Sequence, residues 1–438
     1  MKKKHTYRTI DVQKVSFVRL LETLKDEKVI IGVDVAKTRQ VASVSNGQGI
    51  KELLVHFDHP MQTGLFFSLL AELRRGGKKV ELVTEPTGTY GDALCHQAHE
   101  QGIEVYQINP ARSHAMAEAM DGVHSFHDAK DATVIARLHA QEATSRWRPA
   151  PEMQRELRAL VAQREVYQRQ EEVCQGQLEA LLARHWPEGQ QVLNLRTQRS
   201  TLELLQRAPS LAAIVALGEA QVRMQLRWLK GDGAQRVWDA ALHSSGVPML
   251  PEEAELVRTL VGEVLRAQEA QKRLEEKIKE HTQQHDATRR VAALVGPTTA
   301  AVLVGHLGPL GAYHSPKALE KAMGLNLKEA SSGRDRLKQQ RPGVHLSKRG
   351  PGEVRKYWYL AILRWLQVDW IAKAWYQRRS SYHEERGKGR AVVALMRKLV
   401  RALWHISRGA TYDPERLFDV RRLPAAKAQD AGQVEVTM

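Results

Sequence analysis

Residues 29–37 read VIIGVDVAK, an unbroken apolar run that ends on a single carboxylate, Asp34. A short β-branched run of this kind forms a buried strand. A second such run, KKVELVTEP at residues 78–86, ends on Glu85 in the same way. As adjacent strands they bring Asp34 and Glu85 out beside each other at their carboxyl ends. A third acidic motif, HDAKDA at 127–132, opens a helix, and a spacing of three puts Asp128 and Asp131 on one helical face. Four hard oxygen donors meeting at one point suit Mg²⁺ or Mn²⁺ rather than zinc, and such a cluster can cut phosphodiesters.

Outward from these runs, 29–36, 39–46 and 50–59 read as three strands joined by short connections, the second turn carrying Asn46-Gly47-Gln48-Gly49. That predicts an antiparallel meander. A helix follows in MQTGLFFSLLAELRRGG, ended by Gly76-Gly77, then the strand before Glu85. A helix in TGTYGDALCHQAHEQG, a strand in IEVYQINP and two helical stretches complete the segment. The order βββαβαβα is that of the ribonuclease H fold. The expected class is therefore α/β for residues 29–150, preceded by a basic extension over 1–28 and followed by largely α structure.

The composition points to a polyanionic partner. The 438 residues carry 66 Lys+Arg against 50 Asp+Glu, a net charge of +16, and a pI near 9.8. Between Arg334 and Arg408 stand 19 Lys/Arg and 5 Asp/Glu, so the C-terminal part holds the electrostatic footprint. Two cysteines, Cys95 and Cys174, argue against a disulfide framework, and no run is long enough to span a membrane. The basic start, MKKKHTYRTIDVQK, lacks a secretory apolar core, which predicts a cytoplasmic location.

From Pro151 the pattern changes to long polar helices. Leu157, Val161, Tyr167, Cys174, Leu178 and Leu181 recur at helical steps, as do Leu256, Leu260, Val264, Ala267, Leu274 and Ile278. They predict an antiparallel coiled coil over 151–286, with a helical insertion at 187–250. A mainly helical domain is expected over 287–422 and a disordered tail over 423–438. In ALVGPTTAAVLVGHLGPL, Gly296-Pro297 and the later Gly305 and Gly308 bracket a short apolar helix. This suits a helix-hairpin-helix, in which amides near Gly296 and Thr298 would contact a phosphate backbone, or an ordinary packed hairpin. Beyond it, Ser332 sits in ASSG beside Arg334 and Arg336, with Lys348, Arg349, Arg355 and Lys356 following. Such cations can stabilise a serine alkoxide and a pentacoordinate phosphorane, though Ser-Ser-Gly also suits a plain turn. His124 and His127 read as loop or packing residues, and His96 and His99 as a solvated helix face. Trp358, Tyr359, Trp365, Trp370 and Trp375, interleaved with Arg and Lys, permit base stacking or core packing.

In combination, IGVDVAK, TEPTGTY, Asp128-Ala-Lys-Asp131, the coiled coil, LVGPTTAAVL, ASSG and HLSKRG resemble the DEDD transposases of bacterial insertion sequences. The resemblance runs over nearly the whole chain, outside the first 28 residues, 187–250 and the tail. It implies a RuvC-like N-terminal domain, a metal-binding tetrad of Asp34, Glu85, Asp128 and Asp131, and Ser332 as catalytic serine. It further implies Mg²⁺ or Mn²⁺, donor and target DNA, a guide or bridge RNA, and a homo-oligomer, dimer or tetramer, in a bacterial cell, nucleoid-associated when bound to DNA. The chain departs from the family at Ala293-Leu294-Val295-Gly296-Pro297, where an Ile-Pro-Gly-Ile-Gly-like segment is usual, and at Pro351, where Asn is usual. The expected function is strand cleavage and exchange by serine attack. Its rivals are a RuvC-like nuclease or resolvase using water, a sugar-kinase-like ATPase suggested by VDVAKT, and a non-catalytic nucleic-acid-binding protein.

Overall fold

A computed structural model describes residues 7–86, 88–121, 127–330, 343–381 and 387–423. The chain divides into two compact units, Met1–Pro149 and Ala150–Met438. In the first, the elements run β1 (Ile10–Asp11), α1 (Phe17–Thr23), β2 (Lys28–Asp34), β3 (Arg39–Asn46), β4 (Lys51–Asp58), α2 (Thr63–Arg75) and β5 (Lys79–Thr84). They continue as α3 (Asp92–Glu100), β6 (Glu104–Gln107), α4 (Pro110–Asp121), α5 (Asp128–Ala140) and β7 (Ser145–Arg146).

The seven strands form one mixed sheet in the order β1-β4-β3-β2-β5-β6-β7. β2, β3 and β4 make the antiparallel meander. β5 and β6 lie parallel to β2 and to each other, because a helix returns the chain each time. Alternation assigns the faces. Val29, Ile31, Val33, Ala42 and Val44 pack with Phe66, Leu70, Leu73 and Leu94 of α2 and α3. Ile30 and Val83 pack on the other face with Val134, Ile135 and Leu138 of α5.

The stretch 1–28 is more than a basic extension. Its β1 pairs in parallel with β4, Ile10 opposite Val55, and Val12, Leu20 and Leu24 are buried in the core under α2. The high charge of the segment hides a three-residue apolar anchor. β7, an exposed pair opposite Tyr106 and Gln107, was likewise not legible, since two polar residues carry no alternation.

The second unit is built on two 34-residue helices, α6 (Glu152–His185) and, beyond five short helices, α12 (Pro251–Gln284). Their cross-links run in opposite directions along the chain. Arg164 bonds Glu275 at 2.9 Å, Glu171 accepts from Gln268 at 2.8 Å and Gln271 at 2.6 Å, and His185 lies 3.4 Å from Glu253. The pair is therefore antiparallel. The buried stripe differs from the expected seam at some positions. Leu182 is buried where Leu181 is half-buried, Val257 is buried where Leu256 is 44% exposed, and Tyr167 is 37% exposed. The short helices α7 to α11 (Gly189–Val192, Arg199–Arg207, Leu211–Leu217, Glu219–Gln225 and Gly233–Leu242) close a separate core around Trp186, Leu202, Leu205, Ile214 and Val237.

After α12 come α13 (Asp286–Val295), α14 (Pro297–Leu307), α15 (Pro316–Ala322), β8 (Leu327–Ala330), β9 (Gly343–Leu346), α16 (Gly352–Val368), α17 (Trp370–Ser380) and α18 (Gly387–Ser407). Their core takes in Leu157, Val161 and Ile278 of the long helices. The segments expected as separate domains, 151–286 and 287–422, thus share one unit. Gly305 does not bracket α14 but lies inside it. A Cβ there would stand 3.0 Å from the Arg158 nitrogen, so the absent side chain lets α6 approach. Of the tail expected over 423–438, Leu423 packs against this core, and residues 424–438 lie outside the described residues. Among those residues no helix is long and apolar enough to cross a membrane.

Candidate active site

Strand register brings the first two carboxylates together. β2 and β5 are parallel with Val33 opposite Thr84, so the next residues, Asp34 and Glu85, leave adjacent strands at the same level. By alternation both belong to the sheet face carrying Ile30 and Val83, the face covered by α5. Two glycines let α5 settle there. A Cβ on Gly32 would lie 2.4 Å from the Ala132 carbonyl oxygen and 2.7 Å from the Ala136 nitrogen. One on Gly49, whose φ is +77°, would lie 2.8 Å from Arg137 Cα.

The amino end of α5 is capped by His127, whose Nδ1 accepts from the Ala129 amide at 3.2 Å. This satisfies one of the orphan donors of the first turn, the turn that carries Asp128 and Asp131. The far end of α5 is held by a buried network that the sequence did not disclose. His139 Nε2 lies 2.7 Å from Glu81 Oε2, its Nδ1 lies 2.7 Å from the Thr144 hydroxyl, and Lys28 reaches the same Glu81 oxygen at 2.7 Å. Burial lowers the His139 pKa despite Glu81, favouring a neutral ring that donates to the carboxylate and accepts from Thr144. Burial also works against charge on Glu81, but bonds from His139 and Lys28 outweigh it and hold that carboxyl below its usual range. Helix α5 is thereby capped at its amino end and tied to β5 at its carboxyl end.

Two of the four acids, Asp34 and Asp131, are shifted by their surroundings. Burial, then Asp128, Asp131 and Glu85, push the Asp34 carboxyl up to about 7. Asp131 is raised by burial and by Glu85 and Asp128, with His114 and Lys130 acting in the other direction. Glu85 accepts a hydrogen bond from Ser113 of α4, Oγ to Oε2, at 2.6 Å. Asp128 is exposed and the other three are half-buried, so the cluster lies at the surface end of the sheet. Among the described residues no group of three or more His, Cys, Asp or Glu stands ready to hold a metal ion. The donor chemistry nevertheless fits a divalent cation. The oxygens are hard, and their mutual repulsion is of the kind a cation relieves.

In the second unit, Ser332, Arg334 and Arg336 lie outside the described residues, as does His124 in the first. Strands β8 and β9, Ala330 opposite Gly343, flank the serine segment. The Ser347-Lys348-Arg349-Gly350 loop is fastened to the turn at Gly324-Leu325-Asn326. The Ser347 hydroxyl bonds Asn326 Oδ1, the Ser347 amide donates to the Asn326 carbonyl at 2.8 Å, and the Lys348 amide donates to the Gly324 carbonyl at 3.1 Å. Lys348, Arg349 and Lys356 are exposed. Arg355 is half-buried and donates to the Gly350 carbonyl at 2.6 Å, a structural tie.

At the α13–α14 turn Gly296 has φ +85°, and Thr298 is half-buried. Arg364 bonds the neighbouring Thr299 hydroxyl at 3.1 Å and reaches the Val295 carbonyl at 3.5 Å. Of the aromatic run, Trp358 is fully buried and donates to the Met396 carbonyl, and Trp365 packs in the same core. Tyr359 and Trp370 are exposed. His96 and His99 lie on the exposed face of α3.

Two family profiles match the chain. One, a DEDD transposase of the IS110 type, covers residues 31–187, and the other, described as transposase of the IS116/IS110/IS902 family, covers 294–377. Two curated relatives are each 28% identical. Both are called pilin gene-inverting protein, one from Moraxella bovis, matched over 44% of this chain and 63% of its own length, the other from Moraxella lacunata, over 47% and 67%. The match thus spans about two thirds of those relatives. With the two profiles lying in order along the chain and together covering more than half of it, the chain belongs to the IS116/IS110/IS902 family of transposases.

Proposed function

We propose that this chain is a DNA transposase or recombinase that cuts and rejoins strands through Ser332, assisted by a divalent cation held by Asp34, Glu85, Asp128 and Asp131. The observation that carries the reading is the placement of Asp34 and Glu85 at one level of adjacent strands, on the sheet face covered by the helix whose first turn carries Asp128 and Asp131, where burial and then the other three carboxylates push Asp34 up to about 7. The sheet order β4-β3-β2-β5-β6, with the first three strands antiparallel and the last two parallel to β2, supports a ribonuclease-H-like, RuvC-like domain. The name gene-inverting, carried by the relatives, fits strand exchange between two DNA sites.

A Mg²⁺ or Mn²⁺ ion held by Asp34, Glu85, Asp128 and Asp131 would supply Lewis-acid stabilisation of the charge that builds on the scissile phosphate. Ser332 Oγ forms the new bond to phosphorus, its proton leaves to solvent, and the bond to the departing sugar oxygen breaks with the electron pair on that oxygen. Lys348, Arg349 and Lys356, exposed in this unit, neutralise backbone phosphates, as Arg334 and Arg336 do beside the serine. The Thr298 amide, in the first turn of α14, is offered to the same backbone, whereas the Gly296 amide donates to the Ala292 carbonyl at 2.8 Å. A guide RNA supplies the choice of site, and a homo-oligomer, dimer or tetramer, supplies the copies that exchange needs.

The test incubates the protein with Mg²⁺, its co-purifying RNA and DNA carrying the element's ends. Wild type yields a protein–DNA adduct that survives denaturing electrophoresis and vanishes on protease treatment, whereas Ser332→Ala yields none. Cleavage without adduct in both proteins would instead establish water as the nucleophile.

A further inference from the structure

Helix α4 contributes a side chain to the carboxylate cluster that no motif announces. Ser113 lies in the first turn of α4, is only 5% exposed, and donates to Glu85 Oε2 at 2.6 Å. Its oxygen also lies 2.9 Å from the Pro110 carbonyl, one turn back. A hydroxyl has one proton, and the shorter contact to an ionised acceptor is the stronger of the two. The single proton is therefore aimed at one oxygen of Glu85, with the Pro110 carbonyl as the competing acceptor.

Among the described residues that contact leaves Oε1 as the Glu85 oxygen open to an ion. We propose that Ser113 is a positioning residue that makes Glu85 a one-oxygen ligand, and so tunes the centre toward small octahedral cations such as Mg²⁺ and Mn²⁺ and against Ca²⁺. The chemical reason is coordination number. Ca²⁺ takes six to eight oxygens and accepts both oxygens of one carboxylate, whereas Mg²⁺ demands near-ideal octahedral geometry at shorter range. A carboxylate with one oxygen already engaged serves the second better than the first. Outer bonds of this kind orient metal ligands, and their loss costs about 10- to 100-fold in metal affinity. The inference rests on the carboxylate centre proposed above.

The experiment titrates full-length, metal-stripped protein with Mn²⁺, reading free Mn²⁺ by electron paramagnetic resonance, and then displaces it with Mg²⁺ or Ca²⁺. Wild type should favour Mg²⁺ over Ca²⁺ as competitor. Ser113→Ala should weaken Mn²⁺ binding by about tenfold and shift the competition toward Ca²⁺, and Ser113→Thr, which keeps the hydroxyl, should restore both. An unchanged ratio of Ca²⁺ to Mg²⁺ in Ser113→Ala overturns the proposal whatever happens to overall affinity. Asp34→Ala separates the two readings. If it binds Mn²⁺ as wild type does, the centre itself is wrong and the role of Ser113 falls with it. If it loses Mn²⁺ while Ser113→Ala behaves as wild type, only the role of Ser113 is wrong.

Discussion

Gly32 and Ala132 are in backbone contact, the position of a Gly32 Cβ falling 2.4 Å from the Ala132 carbonyl oxygen. Asp34 lies two residues from the glycine and Asp131 is next to the alanine, so this contact sets the gap between the two parts of the carboxylate cluster. Gly32→Ala would have to push α5 off the sheet. Overpacking of this kind costs about 1–3 kcal/mol, more than the alanine gains over glycine by its strand preference. Urea denaturation should show that loss, and cleavage should fall further than stability does because Asp128 and Asp131 move with the helix. A variant of wild-type stability and activity would mean that the contact does not position the site.

Metal-free protein should lose stability as pH rises from about 4 to about 7. The reason is the raised Asp34 carboxyl, pushed to about 7 from the ordinary value of 3.8. In that window the folded state holds a proton that the unfolded state has released, so raising pH favours unfolding. Asp34→Asn should flatten this part of the stability curve and abolish cleavage. Mn²⁺ at about 100 times its dissociation constant should return about 2.7 kcal/mol at neutral pH. A pH profile identical in wild type and Asp34→Asn would contradict the raised carboxyl.

His139→Ala should cost about 3 kcal/mol, since it strips a buried carboxylate of its buried donor and leaves Glu81 with the half-exposed Lys28. Chemical denaturation reads this directly. Restoring the shape with His139→Gln, which can still donate, should recover part of the loss. If His139→Ala were neutral, the far end of α5 would be held by apolar packing alone.

Charge and structure separate at neighbouring positions in the basic segment. Lys348→Ala and Lys356→Ala should each lower the slope of log affinity for duplex DNA against log salt by about 0.9, with stability unchanged. Arg355→Ala should act through stability instead, because its guanidinium is tied to the Gly350 carbonyl. Filter binding across a salt series, paired with thermal melting of the same proteins, distinguishes the two behaviours.

Much of the carboxylate site was legible because its cues are local. The apolar runs ending at Asp34 and Glu85 mark strand ends, and the spacing of Asp128 and Asp131 marks one helical turn. Each is readable within about ten residues, since period and propensity act between near neighbours. What tertiary structure alone decided are the contacts between residues far apart in the chain. Ser113 meets Glu85 across 28 positions, and His139 meets Glu81 across 58. Val12, Leu20 and Leu24 enter a core from a segment whose charge concealed them, and the Ser347 loop finds its anchor at Asn326. In the first unit such pairs depend on the register of β2 against β5 and on where the helices cross the sheet, and in the second on the register of β8 against β9. These are set by the packing of the whole unit, and no local periodicity encodes them.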